Sequence, residues 1–276
     1  MRISSSWANQ IGVNGIVDQQ AKINQLQMKL AANKKILTAA DDPAGAARAL
    51  DLNQTLKQTD QHQKNILAAR QRLSLSDGIV QNVVDVVQKI NELGIQGLND
   101  TNSAGDRVAI AVEMESLNAH LLGLANTRNA SGEYMFSGSK TDTPAFSKSL
   151  TPGGYDYNGD LNQRDIQIST DRRVTDGDPG VNIFGVPSGI EGVPGSSANI
   201  FEAIDKFAQD LRNNAPNQAS LKDLYTTMDN VQTVQSSIGV RLNALDRQEA
   251  SNANYAVDMK TVLSQTEDLD YAEALS

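Results

Sequence analysis

No cysteine occurs among the 276 residues, which excludes disulfide stapling, thiol catalysis, iron–sulfur clusters and structural zinc. Histidine is nearly absent as well. His62 and His120 are the only two, and neither has the His-Glu-x-x-His spacing that sets two zinc ligands one helical turn apart. Aromatic residues make up 4% of the chain and hydrophobic residues 39%, low for a compact enzyme whose core is filled by aromatic side chains. Basic residues number 24 against 33 acidic ones, a net charge of -9. The positive footprint needed for nucleic acid or an anionic membrane is therefore missing, and neither is expected as a partner. No run approaches the roughly 18 apolar residues of a membrane-spanning helix. The N-terminus has no charged start followed by an apolar run, so no secretory signal is read there. Composition alone points to the cytosol and to thin elements with much exposed surface.

The chemical motifs that can be tested fail on particular residues. Asp156, Asn158 and Asp160 resemble the start of a calcium loop, but Leu161 stands where Gly is needed and Gln167 where a bidentate carboxylate is needed. Asp171, Asp176 and Asp178 read as a solvated acidic turn. Gly138-Ser139-Lys140-Thr141 lacks the glycines of a phosphate cradle, and no Gly-x-Ser-x-Gly or Gly-x-Gly-x-x-Gly string occurs. No catalytic residue, cofactor or metal is expected.

What is present is helical periodicity. Residues 1–40 are polar with a weak stripe, Val13, Ile16, Val17, Ile23, Leu26 and Leu30, and are expected to be helical or partly disordered, since one such helix buries too little alone. Asp41-Asp42-Pro43 is a helix start, with a carboxylate to cap free N–H groups and proline at the first helical position. From there to about Leu98, Ala69, Leu73, Ser76, Val80, Val83, Val87, Ile90, Gly94 and Gly97 step by four and three, a heptad seam on a helix of roughly 80 Å. A turn cluster at 99–105 leads into a second helix marked by Val108, Val112, Leu117, Leu121, Leu122 and Ala125.

Residues 131 to about 198 hold five of the seven prolines and most of the glycine. Runs such as Glu133–Phe136 and Asp165–Ile168 suggest short strands in a small β region. Helix then returns, with Ile200, Ile204, Phe207 and Leu211 on one short segment. A second seam follows, through Leu224, Met228, Val231, Gln235, Ile238, Leu242 and Leu245. Two seams separated by an insert bury each other if the chain doubles back.

The expected fold is mainly α with an inserted β region: an elongated antiparallel helical bundle, coiled-coil-like, formed by N- and C-terminal arms. Its expected parts are a terminal segment 1–40, a rod from 41–130 and 218–276, and a β-rich outer region 131–217 with a short helix near 199–212.

Several strings resemble a known family. Met1-Arg2-Ile3-Ser4, Ile36-Leu37, and Asp41-Asp42-Pro43 running into Ala44–Leu50 resemble the opening of flagellin and the flagellar hook-associated proteins. Asn126-Thr127-Arg128 followed by Gly132-Glu133-Tyr134-Met135-Phe136-Ser137-Gly138 is similar to their passage into a β hairpin. Ser139–Phe146 favours the hook-associated junction proteins over flagellin itself. Gly239–Leu245 and Glu267–Ala274 are similar to the returning helix.

The resemblance implies a flagellin-like bundle and a structural adaptor between hook and filament. It also implies a ring of identical copies that contacts the first hook–filament junction protein and flagellin. A cytoplasmic export chaperone and passage through the flagellar type III channel to the extracellular flagellum are implied too, which replaces the cytosolic expectation. The family continues past the Asp-Tyr-Ala-Glu-Ala motif into a final apolar helix. The chain here stops at Ser276, which implies that residues 1–40 lack that helix as a partner. The alternatives are a filament flagellin, an exported enzyme with a site in the β insert, or a generic coiled-coil secretion protein.

Overall fold

The computed structural model describes residues 2–150, 153–186 and 199–274. Part of the 151–198 stretch, for which no sheet order was expected, therefore lies outside the described residues. Helix dominates: α1 (Arg2–Ala32), α2 (Pro43–Gly97), α3 (Ala104–Ala125), α4 (Gly180–Phe184), α5 (Ile200–Arg212), α6 (Gln218–Glu267) and α7 (Tyr271–Ala274). Between α3 and α4 lie four three-residue strands, β1 (Phe146–Lys148), β2 (Tyr155–Tyr157), β3 (Asp165–Gln167) and β4 (Arg173–Thr175). The chain packs as two units, one of Met1–Gln61 with Ala250–Ser276, the other of His62–Glu249.

In the second unit α2 and α6 run antiparallel. Arg70 reaches Asp246 at 2.8 Å, Gln235 donates to Gln81 at 2.6 Å, and Asn91 donates to the Met228 sulfur at 3.2 Å. As numbers rise along α2, partners fall along α6. Between these cross-links Leu73, Val80, Val83, Val87 and Ile90 are buried, as are Val231, Ile238 and Leu245, and Leu224 is buried one turn beyond Met228. Met228 and Leu242 are partly buried against them.

The small residues at the end of the α2 seam have a steric cause. A Cβ on Gly94 would stand 2.7 Å from Leu221 Cδ1, and one on Gly97 2.7 Å from Leu211 Cδ2. Glycine there lets α5 and the start of α6 lie against the α2 backbone.

A capping box starts α3: the Ser103 hydroxyl accepts from Asp106 N, and the Asp106 carboxylate accepts from Ser103 N at 3.0 Å. Asn199 caps α5 by accepting from Phe201 N at 2.8 Å. The two helices pack together, and Arg212 clamps Glu115 with two bonds of 2.7 and 2.8 Å. The buried face of α3 is Ile110, Ala111, Met114, Leu121 and Ala125. Val108 and Val112 were expected on it and are instead 37% and 51% exposed. Apolar residues lie nearly all round this helix, so periodicity does not select a face; packing against α5 does. By length and composition alone α3 is long and apolar enough to pass for a membrane span. Its uninterrupted apolar runs are nonetheless short, and its buried face is used in packing.

The strands pair as two antiparallel hairpins, Phe146↔Tyr157 to Lys148↔Tyr155 and Asp165↔Thr175 to Gln167↔Arg173. Asp165–Gln167 is the expected strand. Glu133–Phe136 is not one: only an isolated bridge joins Tyr134 to Arg128. Gly132 and Gly138, at φ 82° and 68°, bend the chain at both ends of that run, where extended backbone cannot continue.

Aromatic residues are few but gathered. Phe146 lies 5.1 Å from Tyr157, 5.2 Å from Phe201 and 5.6 Å from Phe184, ring centre to ring centre. Phe136 joins through Phe184, and Tyr155 through Phe201. These edge-on and offset contacts build a local core that joins the first hairpin to α4 and α5.

Candidate functional site

Asp41, Asp42 and Pro43 form the joint between α1 and α2, and the two aspartates have different roles. Asp42 accepts from Gly45 N at 3.0 Å, capping α2, with Pro43 at the first helical position. Asp41 folds the preceding link onto itself, accepting from Thr38 N at 2.9 Å and Leu37 N at 3.1 Å. Its other oxygen accepts from Gln25 of α1 at 2.6 Å, and Lys29 stands 3.7 Å away. The Thr38 N–H is the main cause holding the Asp41 carboxyl below the usual range.

The first half of the link is held from the far end of the chain. Lys35 N donates to the Glu267 carbonyl at 2.8 Å, and Leu269 N to the Asn33 carbonyl at 3.3 Å. Lys34 pairs with Glu267 at 2.9 Å, and Lys35 Nζ donates to the Gln265 carbonyl at 2.9 Å. Nothing in the local sequence signals this crossing, because its partners are more than 200 residues apart.

The second motif group, Gly132 to Gly138, is a folded turn wedged between α2 and the hairpins. Glu133 accepts from Asn129 at 2.8 Å and faces Arg72 of α2 at 3.5 Å. Arg128 lies 4.3 Å over the Tyr134 ring and donates to its hydroxyl at 2.7 Å. Phe136 is buried in the aromatic cluster, and its carbonyl accepts from Gly180 N at 2.8 Å and from the Tyr157 hydroxyl at 3.0 Å. Gly138 is doubly required, by its positive φ and because a Cβ would come 2.4 Å from the Asp160 carbonyl. Asp160 accepts from Ser139 N at 2.9 Å and from the Ser139 hydroxyl. The Ser139 hydroxyl is the largest cause of its lowered pKa. The backbone donor that a phosphate cradle would use is thus engaged by Asp160.

Asn126 substitutes for a neighbouring strand at Phe146. Its amide nitrogen donates to the Phe146 carbonyl at 2.8 Å, and its oxygen accepts from Phe146 N at 3.0 Å. The other hairpin is pinned by Asn65 of α2, which donates to the Gln167 carbonyl at 2.8 Å. It is pinned also by Arg241 of α6, which donates to the Thr175 carbonyl at 3.2 Å and pairs with Asp178.

Asp176 and Asp178 are therefore not a solvated turn, as expected from sequence. They are 0% and 9% exposed, because Arg164 chelates the first and Arg241 the second. A buried triad also went unread: Asn118 donates to Phe201 O at 3.0 Å and to Asp205 at 2.6 Å, while the Tyr155 hydroxyl donates to Asp205 at 2.9 Å. Burial, then the Asp205 charge, pushes the Tyr155 phenol well up. Among the described residues no three His, Asp or Glu side chains stand close enough to share a metal ion.

These sites hold one element against another. The seam residues are consumed inside the chain. What faces outward in the first unit is apolar side chain on α1, including Trp7, Ile11, Ile16 and Val17.

Residues 3–141 match the family model of the bacterial flagellin N-terminal helical region. Flagellar hook-associated protein 3 of Escherichia coli is 27% identical over 100% of this chain and 91% of its own length. A flagellar filament 30.7 kDa core protein of Treponema maltophilum is 31% identical, but over 49% of this chain and 46% of its own. The crystal structure of flagellar hook associated protein-3 from Legionella pneumophila shares the fold, with a TM-score of 0.69 and 23% identity. That match covers 78% of this chain and 97% of that one.

Proposed function

Because the chain belongs to the bacterial flagellin family, we propose that it is a non-enzymatic structural subunit of the flagellum, an adaptor at the junction between hook and filament. One observation carries the reading. Likeness to hook-associated protein 3 runs the whole length of the chain, whereas likeness to a filament core protein stops at about half. A filament flagellin is thereby the weaker alternative.

In this reading identical copies form a ring, with the first hook–filament junction protein on one side and flagellin on the other. Head-to-tail contacts between copies close or propagate instead of stopping at a dimer. The outward apolar residues of α1 suit such contacts, since apolar surface exposed by a single chain is buried on association. Before export a cytoplasmic chaperone holds the chain, which then leaves through the flagellar type III channel and works outside the cell.

Deletion of the gene, with microscopy of the cells and analysis of the medium, tests the proposal. The expected result is a complete hook, flagellin monomers released to the medium, and no filament. A normal filament on the deletion strain would sink the adaptor role.

A further inference from the structure

Three charged side chains of the second unit stand together where the Gly132 to Gly138 turn meets α2. They are Arg72 of α2, Glu133 of the turn, and Arg164 just before β3. Two clefts flank them. One, of about 450 Å³, runs along α2 beside residues 129–131 and has Ala68 and Leu75 on its α2 wall. The other, of about 340 Å³, lies beside Ser139, Thr141 and Asn162. Arg72, Glu133 and Arg164 line both. We propose that the two clefts are one docking groove for an extended acidic segment of another polypeptide, with Arg72 and Arg164 receiving its carboxylate.

The two arginines have donors to give. Arg72 is nearly buried, its side chain 11% exposed, and a buried cation is costly unless well partnered. Its Nε nonetheless has no hydrogen-bond partner among the described residues. Glu133 stands 3.5 Å from its Nη1, too far for a strong charge-assisted bond. The same Glu133 oxygen already accepts from Asn129 at 2.8 Å. Arg164 gives its Nε and Nη2 to Asp176, which leaves its Nη1 for a second acceptor. Charge points the same way. The charged groups lining both clefts are two arginines against one glutamate, on a chain whose net charge is -9. Asp176 already offsets part of the Arg164 charge, so the fit is to a singly charged carboxylate and not to a doubly charged phosphate. The shape favours a segment over a small free carboxylate. Ala68 and the half-exposed Leu75 offer an apolar wall to the methylenes of a glutamate, and a cleft on each side of the arginines gives the flanking backbone somewhere to run.

Fluorescence anisotropy of a labelled pentapeptide, Glu-Ala-Glu-Ala-Glu, titrated with the full chain tests the groove. Lys-Ala-Lys-Ala-Lys is the control and acetate the competitor. The acidic peptide should bind saturably and more weakly as salt rises, and the lysine peptide should not bind. Arg72→Gln should weaken binding about tenfold, and Arg72→Lys, which keeps the charge, should weaken it less. Glu133→Gln removes the repelling carboxylate and should tighten binding about threefold. Far-UV circular dichroism checks each variant, and if Arg72→Gln loses the parent's helix signal, Arg72→Lys and Glu133→Gln decide. Absence of saturable binding by the acidic peptide, equal binding of the lysine peptide, or an affinity unmoved by these substitutions overturns the proposal. So does acetate that displaces the peptide at equal concentration, because the site would then belong to a small free carboxylate and not to a segment.

Discussion

Val83→Asp tests whether the α2–α6 seam carries the stability of the second unit. Val83 is fully buried, one turn from Val80 and Val87 and bracketed by the Gln81–Gln235 and Asn91–Met228 cross-links. Removing the valine forfeits about 1.5–3 kcal/mol of apolar burial. The carboxylate left in its place has no cation in the seam, and a stranded buried charge costs about 3–5 kcal/mol. Protonation of the new acid limits the combined loss, so a net of roughly 4 kcal/mol is expected. With a urea slope of roughly 2 kcal/mol/M, the unfolding midpoint should fall by about 2 M. Asn82→Asp, one residue away and exposed, is the control and should move it little. The deficit should also shrink as pH falls, because burial raises the pKa of the new carboxyl above its unfolded value and the neutral form is cheaper to bury. A midpoint for Val83→Asp equal to that of Asn82→Asp would refute the seam.

Two glycines should respond oppositely to alanine. Gly97→Ala drives a methyl into the fully buried Leu211 and should destabilise by about 1–3 kcal/mol. Gly78→Ala meets nothing within 4 Å and should stabilise by about 1 kcal/mol through helix propensity; calorimetry separates the two. Arg241→Ala strands the buried Asp178 carboxylate and should cost about 3–5 kcal/mol, most of it recovered when Asp178→Asn is added. Asp41, Asp106 and Asp160 all have folded pKa values below 3.8. Their contribution is complete above that value and is lost as pH falls through the depressed ones. Thermal midpoints should therefore be flat from about pH 7 to 5 and drop below about pH 4. A drop that begins near pH 6 would point to other groups.

The long helices were legible because a four-three rhythm continues over many turns, and Pro43 with Asp42 marks where α2 begins. Gly94 and Gly97 were legible as interruptions of the seam, but what fills them, Leu221 and Leu211, comes from beyond the β insert. The misreadings share a cause. Val108 and Val112 sit on a helix apolar nearly all round, so no periodicity distinguishes inside from outside. Asp176 and Asp178 looked solvated because their partners, Arg164 and Arg241, are 12 and 63 residues away, and a charge pattern read along the chain does not show such pairs. Tyr134 lies in a run rich in strand-favouring residues, yet positive φ at Gly132 and Gly138 overrides propensity. Local signals were reliable where structure is locally determined.

The scarcity of aromatic residues takes on a different meaning once they are located. Four of the five phenylalanines, Phe136, Phe146, Phe184 and Phe201, gather with Tyr155 and Tyr157 in the second unit. Trp7 is exposed on α1 in the first. The second unit thus folds around a core of its own, while the first has Ala49 and Leu52 as its buried apolar residues among those described. Units with so little buried apolar area open before those with a full core. Under the export and assembly proposed above, that inequality would be of use: the cored unit folds first, and the thin one becomes fully ordered when other surfaces cover the apolar side chains of α1. Hydrogen exchange on the isolated chain should therefore show the amides of α1 exchanging far faster than those of α2 between Ile66 and Leu93. Equal protection would mean that the first unit is stabilised by something its own buried residues do not supply.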